Sequence, residues 1–220
     1  MKLDMHIHSN FSPDGKASPR QILKQAKKAG LGGLCISDHN TLRGNTEARK
    51  IASEFSIVLV RGMEISSSEG HILGYGIAEE VPRDLSPEET LERIRAQGGT
   101  AVIPHPYRYW SGLGGSRTVS VKPDAIEALN SHSTNSDNAQ ARKLAESLGL
   151  PMTAGSDSHE QPTVGRAYVI IPDVSTEEEV IESILSGKAK TAGLSRNLAG
   201  TLKDRTLTVT QWMGRGFKKM

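Results

Sequence analysis

The feature that most constrains this chain is an alternation. Short apolar runs recur at residues 3–7, 33–37, 57–61, 71–76, 101–104, 125–129, 152–154 and 167–170. Between many of them lie stretches with helical spacing and end signals. Ser18-Pro19 opens one that runs to about Ala29 and stops at Gly30. Residues 41–55 form another. Ser86-Pro87-Glu88-Glu89 begins a third, which ends at Gly98-Gly99, and residues 136–148 end at Gly149. The stretch from Ser175 or Thr176 to Leu185 starts with three glutamates and stops at Gly187, matching the helix dipole. Strands that alternate with helices predict a parallel sheet, closed as an α/β barrel or open and doubly wound. In both, function collects at the carboxyl ends of the strands. The chain of 220 residues suits one domain with a proper core.

Composition removes several alternatives. One cysteine excludes a disulfide framework and any multi-cysteine zinc or iron–sulfur site, and Cys35, within an apolar run, reads as core. Aromatic residues are only 4%, which argues against a sandwich core. No apolar run approaches the ~20 residues of a membrane span, and the first residues lack a signal-peptide core. The expected compartment is a reducing cytoplasm. The net charge of +2 is uneven. Residues 196–220 hold six basic side chains and one acid, so the expected division is a catalytic barrel over 1–195 and a basic extension over 196–220. Within it, residues 205–212 alternate like a short strand.

With almost no cysteine, the seven histidines are the metal-capable residues. All seven lie at or beside strand edges. His6-Ile7-His8 ends the first run, and residues two apart on a strand share a face, so both rings can meet one ion. The later edges carry Asp38-His39, Glu64, His71, His105, His132 and Asp157-Ser158-His159. A lone strand-end histidine is more often structural, but so many edges supplying histidine or carboxylate are not explained by packing. The nitrogen and oxygen donors, without thiolate, suit zinc, manganese or iron. Their number exceeds one tetrahedral ion and argues for two or three divalent ions.

The motifs His6-Ile7-His8-Ser9, Ser12-Pro13-Asp14-Gly15, Ser37-Asp38-His39-Asn40-Thr41, Gly62-Met63-Glu64, His71-Ile72-Leu73-Gly74-Tyr75, Ile103-Pro104-His105-Pro106 and Gly155-Ser156-Asp157-Ser158-His159 occur in this order. Together they resemble the PHP (polymerase and histidinol phosphatase) family. The resemblance implies a distorted (β/α)7, TIM-like barrel with a trinuclear site at the strand ends. It implies that His6, His8 and Asp157 hold a first ion, with Glu64 bridging to a second held by His71 and His105. Asp14, His39 and His159 would hold the third. His132 is then left for a catalytic or phosphate-contacting role, and Asp38 for orienting a ligand ring.

The chemistry the resemblance implies is phosphoester hydrolysis. Clustered divalent ions make hydroxide available near neutral pH and offset phosphoryl charge. No nucleophile elbow or P-loop is present, so attack by a metal-bridging hydroxide without a covalent phosphoenzyme is expected. The substrate expected is a small-molecule phosphoester or nucleotide, and a short nucleic acid also fits. Arg43, Arg108 and Arg117 are candidate phosphate contacts, and Tyr107 and Trp110 candidate base-stacking groups. Histidinol phosphate or another small phosphoester is the alternative substrate. A non-catalytic, metal-stabilised scaffold is the alternative of another kind, and an amidohydrolase-type enzyme is disfavoured because no strand-end lysine is present to bridge two ions.

Overall fold

The computed structural model describes residues 1–196. Among these residues nine strands form one sheet: β1 (Lys2–Ile7), β2 (Gly33–Ile36), β3 (Val58–Ser66), β4 (His71–Tyr75), β5 (Thr100–Ile103), β6 (Ala125–Asn130), β7 (Met152–Gly155), β8 (Ala167–Ile170) and β9 (Lys190–Gly193). Their order is β7-β6-β5-β4-β3-β2-β1-β8-β9. The first seven curl into a nearly closed barrel. Its seam is joined at one rim, where Asp157 N donates to His6 O at 2.7 Å and His8 N to Ser158 O at 2.8 Å. Strands β8 and β9 run on from β1 as an antiparallel flap.

Six helices accompany the strands: α1 (Pro19–Lys28), α2 (Arg43–Arg49), α3 (Pro87–Ala96), α4 (Gly115–Val121), α5 (Asn135–Leu148) and α6 (Glu177–Leu185). Ser18, Ser86, Thr134 and Thr176 cap α1, α3, α5 and α6 by accepting from the backbone N–H three residues on. The barrel interior is apolar below the rim, where Leu3, Met5, Cys35, Leu73, Tyr75 and Val102 meet Val180 and Ile184 of α6. A second layer, with Ile22, Leu23 and Ala26 of α1 against Leu34 and Ile36, covers the outside of β2.

Two expectations need correction, and two further elements were not anticipated. The sheet is not all parallel: β4 runs against both β3 and β5. Ser66 pairs with His71 across a turn too short for the crossover a parallel pair needs. Reversal puts the first residue of β4, His71, at the rim where its neighbours end. The helix expected over 41–55 is broken, because Ile51 leaves helical dihedrals (φ −125°, ψ 0°) before a 3-10 turn at Ala52–Phe55. Helix α4, over Gly115–Val121, was not expected. The flap strand β9 was not expected, since Lys190–Gly193 has no apolar run. The strand expected over 205–212 lies outside the described residues. No helix among the described residues is long and apolar enough to cross a membrane.

Candidate metal centre

Two register shifts decide which side chains enter the barrel. Leu3 and Asp4 pair with Gly33 and Leu34, but the next pair is Ile7 with Ile36, so β1 carries one extra residue. Alternation alone would put Asp4, His6 and His8 on one face. Instead Leu3 and Met5 fill the interior while Ile7 packs under α1. The bulge thus changes parity and turns both rings inward. A similar shift lies between Glu127 and Leu129 of β6, and there Glu127 and Asn130, three apart, meet through a 2.9 Å hydrogen bond.

All nine ligand candidates converge on this rim. Glu64 divides the pocket. Its Oε1 lies 2.9 Å from His71 Nδ1 and 3.1 Å from His105 Nε2. Its Oε2 lies 3.2 Å from His6 Nε2, 3.1 Å from His8 Nε2 and 3.5 Å from His39 Nε2. Asp157 Oδ1 stands 3.2 Å from His8 Nε2. On the outer side Asp14 Oδ2 faces His159 Nε2 at 3.0 Å and His39 Nε2 at 3.5 Å. Donor triads compact enough for an ion include His6-Glu64-His105, His6-His8-Asp157, His8-His39-Glu64 and His8-Asp14-His159. Both His105 (φ 29°) and Asp157 (φ 51°) occupy the left-handed region, which non-glycine residues rarely adopt and which recurs at functional sites.

The donor set fits a cation for a specific reason. His6 Nδ1 sits 3.0 Å from a carboxylate oxygen of Glu127, which fixes the proton on that nitrogen. Nε2 then carries a lone pair, yet it faces Glu64 Oε2 and, at 3.2 Å, His8 Nε2. Lone pairs so disposed repel unless positive charge lies among them. In the chain alone protons supply it. Burial disfavours the His8 cation, but Asp157 and Glu64 prevail and raise its pKa to about 10. Burial would likewise push the Asp157 carboxyl up, yet Arg108, His6 and His8 hold it well below the usual carboxylate range. Divalent cations supply the same charge without protons. His105 behaves oppositely, its pKa lowered to about 3 by burial and by Arg108.

The other site candidates divide. His132 stacks on His159 with centroids 5.2 Å apart. Burial, aided by His159, Arg108 and Arg196 and opposed by Asp157, lowers its pKa to about 3. Its ring is therefore neutral near pH 7 in the metal-free chain. Asp38 does not orient a ring, because its oxygens bind Ser9 N at 2.5 Å and Ser9 Oγ at 2.7 Å and so hold the loop after β1. Arg117 is no phosphate fork either, since its guanidinium is spent on Glu69 and Glu88. Tyr107 packs on the apolar cluster between β6 and α5, which removes it as a stacking platform. Arg43 lies 5.0 Å over Phe11, in the loop that carries Asp14. Arg108 reaches the site, where its Nη2 touches Asp157 Oδ2 at 2.6 Å and Asn130 Oδ1 at 2.8 Å. Trp110 is exposed and meets Tyr109 edge to face at 4.8 Å.

Sequence reasoning missed Glu127, Asn130 and Asp4. Glu127 is fully buried and also accepts from His105 N at 3.0 Å, so one carboxylate orients two strand ends. Its signal was a charge inside the apolar run of β6. Asn130 links Glu127 to Asp157 Oδ2 at 3.1 Å.

The family model described as PHP-associated matches residues 135–189. An uncharacterized protein of Methanocaldococcus jannaschii is 42% identical over 142 residues, covering 60% of this chain and 83% of the relative. Phosphoribosyl 1,2-cyclic phosphate 1,2-diphosphodiesterase of Eggerthella lenta is 35% identical over 100 residues, but the match covers only 42% of this chain and 38% of that enzyme. Among solved structures, a two-domain protein from Bacteroides vulgatus containing a predicted PHP-like metal-dependent phosphoesterase superposes with a TM-score of 0.73 at 18% identity, over 88% of this chain and 65% of that one. A rim of histidines and carboxylates on a seven-stranded barrel, together with these relationships, means that the chain belongs to the PHP family.

Proposed function

We propose that the protein is a metal-dependent phosphoesterase acting on a nucleotide or short oligonucleotide. On this reading residues 1–195 are the catalytic barrel, residues 196–220 a basic extension, and His6, His8, Asp14, His39, Glu64, His71, His105, Asp157 and His159 hold two or three divalent ions, with zinc, manganese and iron the candidates. The observation that carries it is the lone-pair confrontation of His6 Nε2 with Glu64 and His8, created by the Glu127 contact on the other ring nitrogen. Bound divalent ions supply Lewis acidity, activate water and neutralise phosphoryl charge. The protein supplies orientation. Glu127 fixes the tautomer of His6, Asn130 and Arg108 hold Asp157, and Glu64 partitions the pocket between two sets of rings. Arg108 spends only Nη2 on these contacts, which leaves its other donors for phosphoryl oxygens. The exposed Tyr109–Trp110 pair, on the same loop as Arg108, favours a substrate that carries a base.

The test is a phosphoester panel on metal-quantified protein: p-nitrophenyl phosphate, its diester, nucleotides, a short oligonucleotide and histidinol phosphate. Turnover of nucleotides or oligonucleotides is expected, with metal and activity lost together in Asp157→Asn. Full activity in that variant would overturn the ligand assignment. Hydrolysis of no ester with manganese, zinc or iron supplied would make the protein a scaffold, and a preference for histidinol phosphate would replace the substrate.

A further inference from the structure

Outside the ligand set, one fully buried carboxylate has contacts with three separate segments. Asp4 lies two residues before His6 in β1. Its Oδ1 accepts from His6 N at 3.3 Å and from Ser156 N at 2.8 Å, and its Oδ2 accepts from Gly165 N at 2.8 Å. The first bond lies within the extra-residue segment of β1, across the step where parity changes. The second reaches over the barrel seam to the residue before Asp157. The third reaches the turn that leads into β8. The seam has little slack there, since a side chain at Gly155 would place its Cβ 2.2 Å from His6 Cβ. The carboxylate therefore bonds both segments that bring metal donors to the seam, His6-Ile7-His8 and Asp157-Ser158-His159.

We propose that Asp4 is a positioning residue, whose carboxylate holds the β1 bulge and latches it to the Ser156 and Gly165 backbones, setting His6 and His8 against Asp157 and His159. An apolar residue would leave three buried N–H groups unpaired, while an amide would turn a donor toward at least one of them. The inference rests on the metal-centre reading for its effect on affinity, though not for the latch itself.

The experiment compares wild type with Asp4→Asn by Mn2+ titration, thermal melting and site-resolved amide exchange. Asn45→Ala is the stability control: Asn45 is buried on α2, and its amide donates to Ile36 O and Val60 O, neither of which belongs to a donor of the site. Asp4→Asn is expected to bind Mn2+ roughly 10–100-fold more weakly. The amides of His6, Ser156 and Gly165 should exchange about tenfold faster relative to those of β3 and β4. Asn45→Ala should melt lower with wild-type affinity. Wild-type affinity and wild-type seam exchange in Asp4→Asn would overturn the proposal, as would an equal affinity loss in Asn45→Ala. If wild type bound no Mn2+, the metal reading would fall, and the exchange rates would still decide whether Asp4 is a latch. Should Asp4→Asn fail to fold, Asp4→Glu, which displaces the acceptors by one methylene, gives the same readouts.

Discussion

The inner and outer halves of the centre use the same chemistry in different surroundings. On the inner side His6, Glu64 and Glu127 are at most 1% exposed, and each charge is met by a buried partner. On the outer side the side chains of Asp14 and His159 are 10% and 21% exposed, and they meet each other in a loop and a turn. Partners in a low-dielectric interior are costly to lose, whereas water compensates at a rim. The contrast teaches that the inner half belongs to the fold as much as to the chemistry, while the outer half can vary with little effect on folding.

Several outcomes would sharpen or break that contrast. The largest effect is expected from Glu64→Gln, which should abolish turnover and reduce bound metal, as read by elemental analysis. Retention of both would end the idea that Glu64 divides the pocket. Next, Glu127→Gln should weaken metal binding roughly 10–100-fold, because the His6 tautomer is no longer imposed, and calorimetric Mn2+ titration measures this. His159→Asn, on the outer side, should cost about tenfold in metal affinity and recover activity in excess metal. A melting temperature lowered as far as in Glu127→Gln would erase the distinction between the halves. The smallest effect belongs to Trp110→Ala, with about 1 kcal/mol lost, or fivefold in kcat/KM, for a nucleotide and none for p-nitrophenyl phosphate. Equal changes for both substrates would remove stacking from the account.

Protonation offers a further contrast, between metal-free and metal-loaded protein. The His8 pKa is raised to about 10 from 6.5, so the stability it contributes is complete below pH 6.5 and lost as pH climbs toward 10. His105 and His132 are lowered to about 3, so below pH 6.5 the unfolded chain takes up protons that the native state refuses. Metal-free protein should therefore melt highest near pH 6.5, and metal loading should flatten the alkaline side. Thermal melts across pH, with and without Mn2+, check both arms. An unchanged alkaline slope with metal bound would separate His8 from the ions.

The histidines were legible in the sequence because strand ends gather at one rim whatever the register, and a ring beside an apolar run is conspicuous. Glu127 was not, because a lone acid within an apolar strand gives no sign of which way it points. The reversal of β4 escaped notice since apolar runs carry no direction. Helix α4 was hidden by the glycines at its start, Gly114 and Gly115. Arg117 and Tyr107 were misassigned for a common reason: proximity in sequence to His105 does not reveal the Glu69–Glu88 pair or the apolar cluster that takes up each side chain.

The extra residue in β1 makes that strand behave like a reading frame. Side chains along it can change in size with local effects, but flattening the bulge with every residue kept would exchange inside for outside from that point onward. Both imidazoles would then face the α1 layer, and Ile7 the pocket. Relatives of this protein can therefore be expected to vary in the lengths of their loops while keeping this count unchanged.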